Sequence, residues 1–201
     1  MAVKINNAIP QQNFELIRDR IGLILKEEID NQANTLISDP DLNASVWVER
    51  FVPFDKSDFP CVNILFSGGP FENINTVSVT GVYTFLIDVY TSSPTTTGQD
   101  GDQKASFVLQ RLLGIIRAIL ENPVYRILDF NPGTVLGTEV ENLGVMDPQN
   151  NQDATSTIKG RVTLKVKACE TTQLLDASPI EGFETAVKIN LTDKGYKYEI
   201  N

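Results

Sequence analysis

Most side-chain types that carry out catalysis are missing or scattered along this chain of 201 residues. There is no histidine, which removes Ser-His-Asp and Cys-His sites, histidine-ligated metals and the commonest general base. The two cysteines, Cys61 and Cys169, lie inside apolar strand-like runs, "PCVNILF" and "TLKVKACE". Two thiols do not make a disulfide framework in a chain of this length, so we interpret both as buried, reduced core residues.

The acidic residues that metals or hydrolytic reactions would need lie mainly in loops, and none completes a known motif. These loop acids are Asp39, Asp41, Asp55, Asp58, Asp100 and Asp102. The segment "DGDQ" begins like a calcium loop but lacks the further oxygen ligands and the late Glu of that motif. The sequence does not single out two acids as a glycosidase-like catalytic pair. We therefore interpret the loop acids as solvated residues and helix caps.

The segment "SGGPFENIN", 67–75, places two glycines after a strand, as phosphate-binding loops do. It lacks the Gly-Lys-Ser/Thr ending of such loops, and no helix is expected after it. We therefore interpret it as a turn. The sequence predicts a protein that is not an enzyme and that holds no metal or other cofactor.

One strand-like segment, "TIKGRVTLKVKA" at 157–168, carries a basic face in an otherwise acidic chain. Its alternation predicts that four cations point away from the core: Lys159, Arg161, Lys165 and Lys167. Such a face either keeps a strand soluble or pairs with an acidic partner surface, for example the next copy of the same protein. Nucleic acid is a weaker candidate because no aromatic residue interleaves the cations.

Composition sets the class of protein. With 17 basic and 26 acidic residues the formal charge is −9, so the chain repels phosphate backbones and no sequence-specific nucleic acid partner is expected. The hydrophobic fraction of 41% fits a globular domain. Neither a secretory signal nor an apolar run of about 18 residues occurs, so the sequence predicts no membrane contact.

Two amphipathic helices and several strands must position these residues. Apolar residues at spacings of three and four predict helices over 14–37 and 103–122, with Asn13 and Asp102 as N-caps. The stripe of the first helix is expected to contain Phe14, Ile17, Ile21, Ile24, Leu25, Ile29 and Leu36. Strands are expected over 45–52 and 61–69, with two short strands around "NPG" within 126–145, and at 157–168.

The strand at 76–93, "TVSVTGVYTFLIDVYTSS", is longer than most. Its residues alternate between two faces, with apolar side chains on one and more polar ones on the other. The first face holds Val77, Val79, Tyr83, Phe85, Ile87 and Val89, and the second holds Ser78, Thr80, Thr84 and Asp88, with Val82, Leu86 and Tyr90 among them. The "VSVTG" end of the strand is expected to project beyond the core, with Gly81 as a bend, and to meet a neighbouring subunit. A terminal hairpin is expected at 185–200, with "TDKG" as its turn and Gly195 at a position that favours positive φ. Together these elements predict an α+β fold: a mostly antiparallel sheet with two helices packed on one face, a long projecting strand and a C-terminal hairpin extension. Residues 1–170 would form the main domain and 171–201 the extension.

The order of these elements resembles the tail terminator proteins of long-tailed bacteriophages. The likeness lies in Phe59-Pro60-Cys61-Val62-Asn63-Ile64, which matches a "-x-P-x-V-x-V-" strand, and in Phe85-Leu86-Ile87-Asp88-Val89-Tyr90, which matches "x-F-x-I-x-V-Y". In that family an N-terminal helix precedes these strands, and a second helix and closing strands follow. The resemblance covers roughly residues 14–170.

This resemblance implies a structural virion protein, assembled in the host cytoplasm, that forms a ring, usually a hexamer. The ring would cap the tail tube, end its polymerisation and offer a docking surface to the head. Its partners would be its own copies and the tail tube protein, with sheath and neck proteins beyond them. The candidate interface residues are Lys159, Arg161, Lys165, Lys167, Val77, Val79, Tyr196 and Tyr198.

Two alternatives remain at this stage. One is another head–tail joining protein, such as a connector, neck or baseplate subunit. The other is a small-molecule-binding or enzymatic α+β domain whose site the sequence does not reveal.

Overall fold

Among the described residues, one α-helix precedes four strands and a second α-helix precedes four more, an order close to the predicted one. The computed structural model describes residues 8–73, 78–94, 101–146, 157–171, 184–187 and 196–199. The helices are α1 (Asn13–Asn31), which continues into a π-helical turn (Gln32–Leu36), and α2 (Gly101–Leu120). The strands are β1 (Ser45–Val48), β2 (Cys61–Gly68), β3 (Phe71–Asn73), β4 (Ser78–Ser92), β5 (Val135–Met146), β6 (Thr157–Thr171), β7 (Glu184–Val187) and β8 (Tyr196–Glu199).

The main sheet has six strands in the order β1-β2-β4-β6-β5, with β3 paired to β4. Strand β1 runs parallel to β2, and the other pairs in the sheet are antiparallel. The predicted α+β class, with two helices on a mostly antiparallel sheet, is confirmed.

The centre of the sheet is the pair β4 and β6, which runs from Ser78 opposite Thr171 to Ser92 opposite Thr157 without a register shift. Alternate residues of both strands point to the helices and form the core, as the period-two pattern predicts. The fully buried members of this face are Tyr83, Phe85, Ile87, Val89, Val162, Leu164 and Val166.

The helices approach the sheet closely at two glycines. A Cβ on Gly22 in α1 would lie 2.8 Å from Cγ2 of Val48, and a Cβ on Gly160 in β6 would lie 2.7 Å from Cδ1 of Leu113 in α2. Any side chain at these positions would push helix and strand apart. Glycine thus sets how tightly both helices pack.

Several predicted boundaries were wrong. Residues 126–145 hold one strand, β5, instead of two short ones; its irregular register opposite β6 shows bulges that hide the alternation. Strand β1 ends at Val48 because Glu49 adopts a φ of 50°, outside the extended region. Leu36 is exposed, because the π-helical turn takes it off the apolar stripe of α1.

Neither predicted N-cap occupies that position. Gln12 caps α1, while Asn13 is its first residue and donates from Nδ2 to the carbonyl oxygen of Cys169 at 3.0 Å. Asp102 lies in the first turn of α2 and accepts from the backbone N–H of Gln103 at 2.8 Å.

The long strand is regular where it is described. No register shift occurs at Gly81, which was predicted as a bend, and a Cβ there would lie 3.0 Å from the Tyr83 ring. Glycine at this position makes room for that ring. The prediction that the "VSVTG" end projects falls partly on residues outside the described ranges.

The chain divides into two units, of which Pro10–Thr172 contains both helices and the six-stranded sheet. The second unit includes the predicted C-terminal hairpin, in which β7 and β8 pair antiparallel with Val187 opposite Tyr196. The predicted turn at Gly195 lies outside the described residues. Among the helices described, none has both the length and the apolarity needed to cross a bilayer.

Candidate interaction surfaces

The four predicted cations of β6 share one face of the sheet, the face turned away from the helices. The register places Lys159 opposite Tyr90, Arg161 opposite Asp88 and Lys165 opposite Thr84 on β4. Lys167 follows opposite Val82. The sequence therefore identified this face correctly, but it did not identify the residues that neutralise it.

The most buried charge on this face is Asp88, whose side chain is only 1% exposed. Its Oδ1 accepts from Arg161 Nε at 2.6 Å and its Oδ2 from Arg161 Nη2 at 2.9 Å. Lys159 Nζ lies 2.7 Å from Oδ2. Burial alone would raise the pKa of Asp88, but the hydrogen bonds and charges of Arg161 and Lys159 outweigh it and hold the pKa below its ordinary value.

A third cation of this face is also paired within the subunit. Lys165 Nζ lies 2.5 Å from Oε1 of Glu141 on the neighbouring strand β5. Lys167 is exposed and forms no ion pair with the described residues. Three of the four cations are thus paired within the subunit, by two carboxylates, and contact with an acidic partner stays a prediction.

Sequence reasoning placed Asp88 on the outward face but gave it no role. The available signal was an acidic residue inside the apolar run "FLIDVY" on the same outward face that β6 fills with cations. Pairing the two strands in register would have joined them, but the sequence does not supply that register.

The other predicted interface residues lie apart from this face. Val79 is half-buried on the helix side of β4, opposite Glu170. Val77 lies outside the described residues. Tyr196 and Tyr198 belong to β8, where only the backbone is described.

The two cysteines differ in environment. Cys61 is fully buried, as predicted, and burial together with the nearby charge of Asp58 raises the pKa of its thiol to about 12. Cys169 is only half-buried, contrary to the prediction, because it lies near the end of β6. The Cys61 thiol is therefore protonated at neutral pH and poorly suited to nucleophilic chemistry.

The loop acids make local contacts. Asp39 accepts from the backbone N–H of Asp41 at 3.0 Å, and Asp41 pairs with Lys104 at 2.8 Å. Within the described ranges, no three Cys, Asp or Glu side chains come together as metal ligands.

An exposed apolar surface occurs where β1 ends. We call Trp47, Val48, Phe51 and Val52 the apolar tip. Phe51 is 79% exposed and Val52 is 68% exposed, although both are large apolar residues. Two such neighbours in solvent favour a protein contact over a structural role within the subunit.

Contacts of Asn63 and Arg50 hold the backbone of the apolar tip in place. Asn63, which is buried, accepts from the backbone N–H of Arg50 at 3.2 Å and donates to its carbonyl oxygen at 2.8 Å. The Arg50 guanidinium lies over the rings of Trp47 and Phe54, at 4.3 and 4.5 Å from their centroids, and pairs with Asp58 at 2.9 Å. These contacts fix the backbone next to Phe51.

Strain at the neighbouring residue adds to this order. Glu49 has a positive φ of 50°, which non-glycine residues rarely adopt. Its backbone N–H donates to the Ile64 carbonyl at 2.9 Å, and its Oε1 accepts from the Phe66 N–H at 2.7 Å. The backbone and side-chain hydrogen bonds of Glu49 therefore stabilise the turn that directs Phe51 and Val52 towards solvent.

A second apolar surface follows β5, at the opposite edge of the sheet. Leu136, Leu143 and Val145 are all exposed on this twelve-residue strand. In the described part of the chain, β5 pairs along one side only, with β6. A long edge strand with apolar side chains is a surface on which another strand can pair.

A groove of about 240 Å³ lies between the C-terminal halves of α1 and α2. Its apolar wall is formed by Gly114, Ile115, Ala118 and Ile119 of α2. A side chain added at Gly114 would meet open space, so the wall is free at this point.

Polar residues form the rim of this groove. Tyr125 donates from its hydroxyl to Glu28 at 2.5 Å, and this hydrogen bond raises the pKa of Tyr125 to about 12. Arg111 also lines the groove, is exposed and forms no ion pair with the described residues. The rim thus contains the hydrogen-bonded pair Tyr125 and Glu28 and the guanidinium of Arg111, which is unpaired among the described residues.

Comparison with known proteins adds no family to this picture. The chain matches no protein-family model, and no curated protein has significant sequence similarity to it.

Proposed function

We propose that this protein is a structural virion component of the tail terminator type, which forms a ring on the end of a phage tail tube. The observation that carries the proposal is the exposure of large apolar side chains at both edges of the sheet, in the apolar tip and along β5. Two different adhesive edges on one subunit favour head-to-tail association, and such association closes into a ring when the rotation allows it.

The placement of the family-like segments supports the same proposal. The segments 59–64 and 85–90 contribute strands β2 and β4, which are neighbours in the sheet. Their residues pair directly, with Cys61 opposite Tyr90 and Ile64 opposite Ile87. The two motifs therefore belong to one structural unit, as a resemblance in a central sheet implies.

The experiment combines assembly with tube binding. Light scattering after size exclusion and negative-stain electron microscopy should find closed rings of the purified protein. Added to purified tail tubes, the protein should bind one end and block further elongation. A monomer at high concentration that ignores tail tubes would overturn the proposal.

Other joining proteins of the virion are the second candidate, because apolar edges serve them equally well. Rings that bind the head vertex or the baseplate, and leave tube elongation unaffected, would favour this candidate.

A further inference from the structure

We infer that the Phe51 side chain of one copy inserts into the groove between α1 and α2 of the next copy. The inference rests on the self-association in the proposed function and identifies the two surfaces that meet. In this contact the apolar tip of one copy packs against the groove wall of the next, which is formed by Gly114, Ile115, Ala118 and Ile119.

The size of the groove favours a side chain over other occupants. Its volume of about 240 Å³ is below the range of about 300–1,000 Å³ that is usual for small-molecule sites. It has room for roughly eight water molecules, which is on the scale of one large side chain. One aromatic side chain against an apolar wall matches both its volume and its lining.

The Phe51 side chain needs such a recess in another molecule. At 79% exposure it does not enter a recess in the described part of its own chain. Because Asn63, Glu49 and Arg50 already fix the backbone beside it, docking would order few further groups. A preorganised aromatic residue of this kind is typical of the residues that dominate interface energies.

Charge adds a second complementary pair. Asp55 is exposed and lies four residues after Phe51 on the same loop, and Arg111 is exposed on the groove rim. Neither forms an ion pair within the described part of the chain, although the Asp55 carboxylate accepts from the backbone N–H of Asp58. Insertion of Phe51 would bring this carboxylate towards the guanidinium, which sets the orientation of the tip as well as its affinity.

The first test uses two variants that leave the subunit fold intact. Phe51→Ser removes the inserting aromatic side chain at an exposed position. Gly114→Leu fills the groove with a side chain that meets open space within its own subunit. The substitution also favours the helical conformation, because glycine has a low helix propensity. Each should weaken self-association by roughly thirtyfold, the effect of losing an aromatic anchor at an interface.

Ile9→Ser, which alters another exposed apolar residue elsewhere in the chain, is the control and should assemble like the wild type. Circular dichroism and thermal melting report the fold of every variant. Wild-type assembly by Phe51→Ser and Gly114→Leu would overturn the inference.

The second test exchanges the charges. Arg111→Asp and Asp55→Arg should each weaken assembly, and the double variant should recover affinity relative to either single variant. Additive losses in the double variant would contradict the orientation inferred here.

The outcomes separate the inference from the proposed function. Rings that cap tubes but are insensitive to Phe51→Ser and Gly114→Leu would remove the inference alone. Rings that depend on Phe51 but ignore tail tubes would remove the proposed function alone. A wild-type protein that stays monomeric would overturn both.

Discussion

At the scale of single residues, the least expected feature is a buried carboxylate held by two cations in a sheet with few other buried charges. Asp88 lies among apolar neighbours on β4, and its two partners come from β6. The Arg161 guanidinium binds both of its oxygens, which is the strongest geometry for such a pair. The pair therefore favours the register in which Asp88 lies opposite Arg161 on the neighbouring strand.

Removing one partner should reveal this dependence. Arg161→Met leaves the buried carboxylate with Lys159 alone, so the free energy of unfolding should fall by about 3 kcal/mol. Lys167→Met changes a cation on the same strand face and should alter stability by less than about 0.5 kcal/mol. Urea denaturation measures both, and equal losses would contradict a special role for Arg161.

The lowered pKa of Asp88 predicts an acid-dependent loss of stability. A carboxyl group whose folded pKa is below its unfolded value, about 3.9, stabilises the fold above that value. The contribution disappears as the pH falls through the folded pKa.

Stability should be compared between the wild type and Asp88→Asn, from about pH 7 to about pH 3. The difference in unfolding free energy should be largest near neutrality and shrink in acid. A difference that stays constant over this range would show that the charge of Asp88 contributes nothing.

At the scale of elements, the distance between helix and sheet is set by small residues. Gly160 lies on β6 directly beneath α2, where a Cβ would approach Leu113 at 2.7 Å and Leu109 at 3.3 Å. Glycine costs conformational entropy in a strand, so its presence here reflects the close approach.

A larger residue at this position should separate the two elements. Gly160→Val should lower the free energy of unfolding by about 1–3 kcal/mol through overpacking. Gly144→Val on the adjacent strand is the matched control, because a Cβ at Gly144 meets open space. Its stability should be unchanged or higher, and a larger loss in the control than at Gly160 would refute this account of the helix–sheet contact.

At the scale of the whole molecule, net charge and apolar edges act in opposite directions. Copies that each carry a formal charge of −9 repel one another, while the apolar tip and β5 attract. Three of the four cations of the basic face are already paired within the subunit, so they are less available to offset the repulsion.

Self-association should therefore strengthen with salt. Raising the ionic strength from about 0.1 M to about 1 M shortens the screening length from about 10 Å to about 3 Å and removes most of the repulsion. Sedimentation velocity at several salt concentrations gives the affinity. Weaker assembly in salt would instead show that attraction between opposite charges, either Asp55 with Arg111 or the basic face with an acidic surface of the next copy, outweighs this repulsion.

The sequence by itself determined the α+β class, both helices and the burial of one face of β4 and β6, because residue periodicity is a local property of the chain. The cations of β6 were likewise assigned to the outward face. Bulges in β5 and the π-helical turn at Leu36 lay beyond such reasoning, since they break the period that reveals an element.

Only the tertiary structure decided which distant residues meet. The pairing of Asp88 with Arg161 depends on strand register, and the groove depends on how α1 and α2 lie side by side. The exposure of Phe51 was equally hidden, because the sequence placed it inside a strand predicted over 45–52, where an apolar residue is as compatible with a core as with a surface. Such features arise from the packing of segments far apart in the chain, which no local pattern encodes.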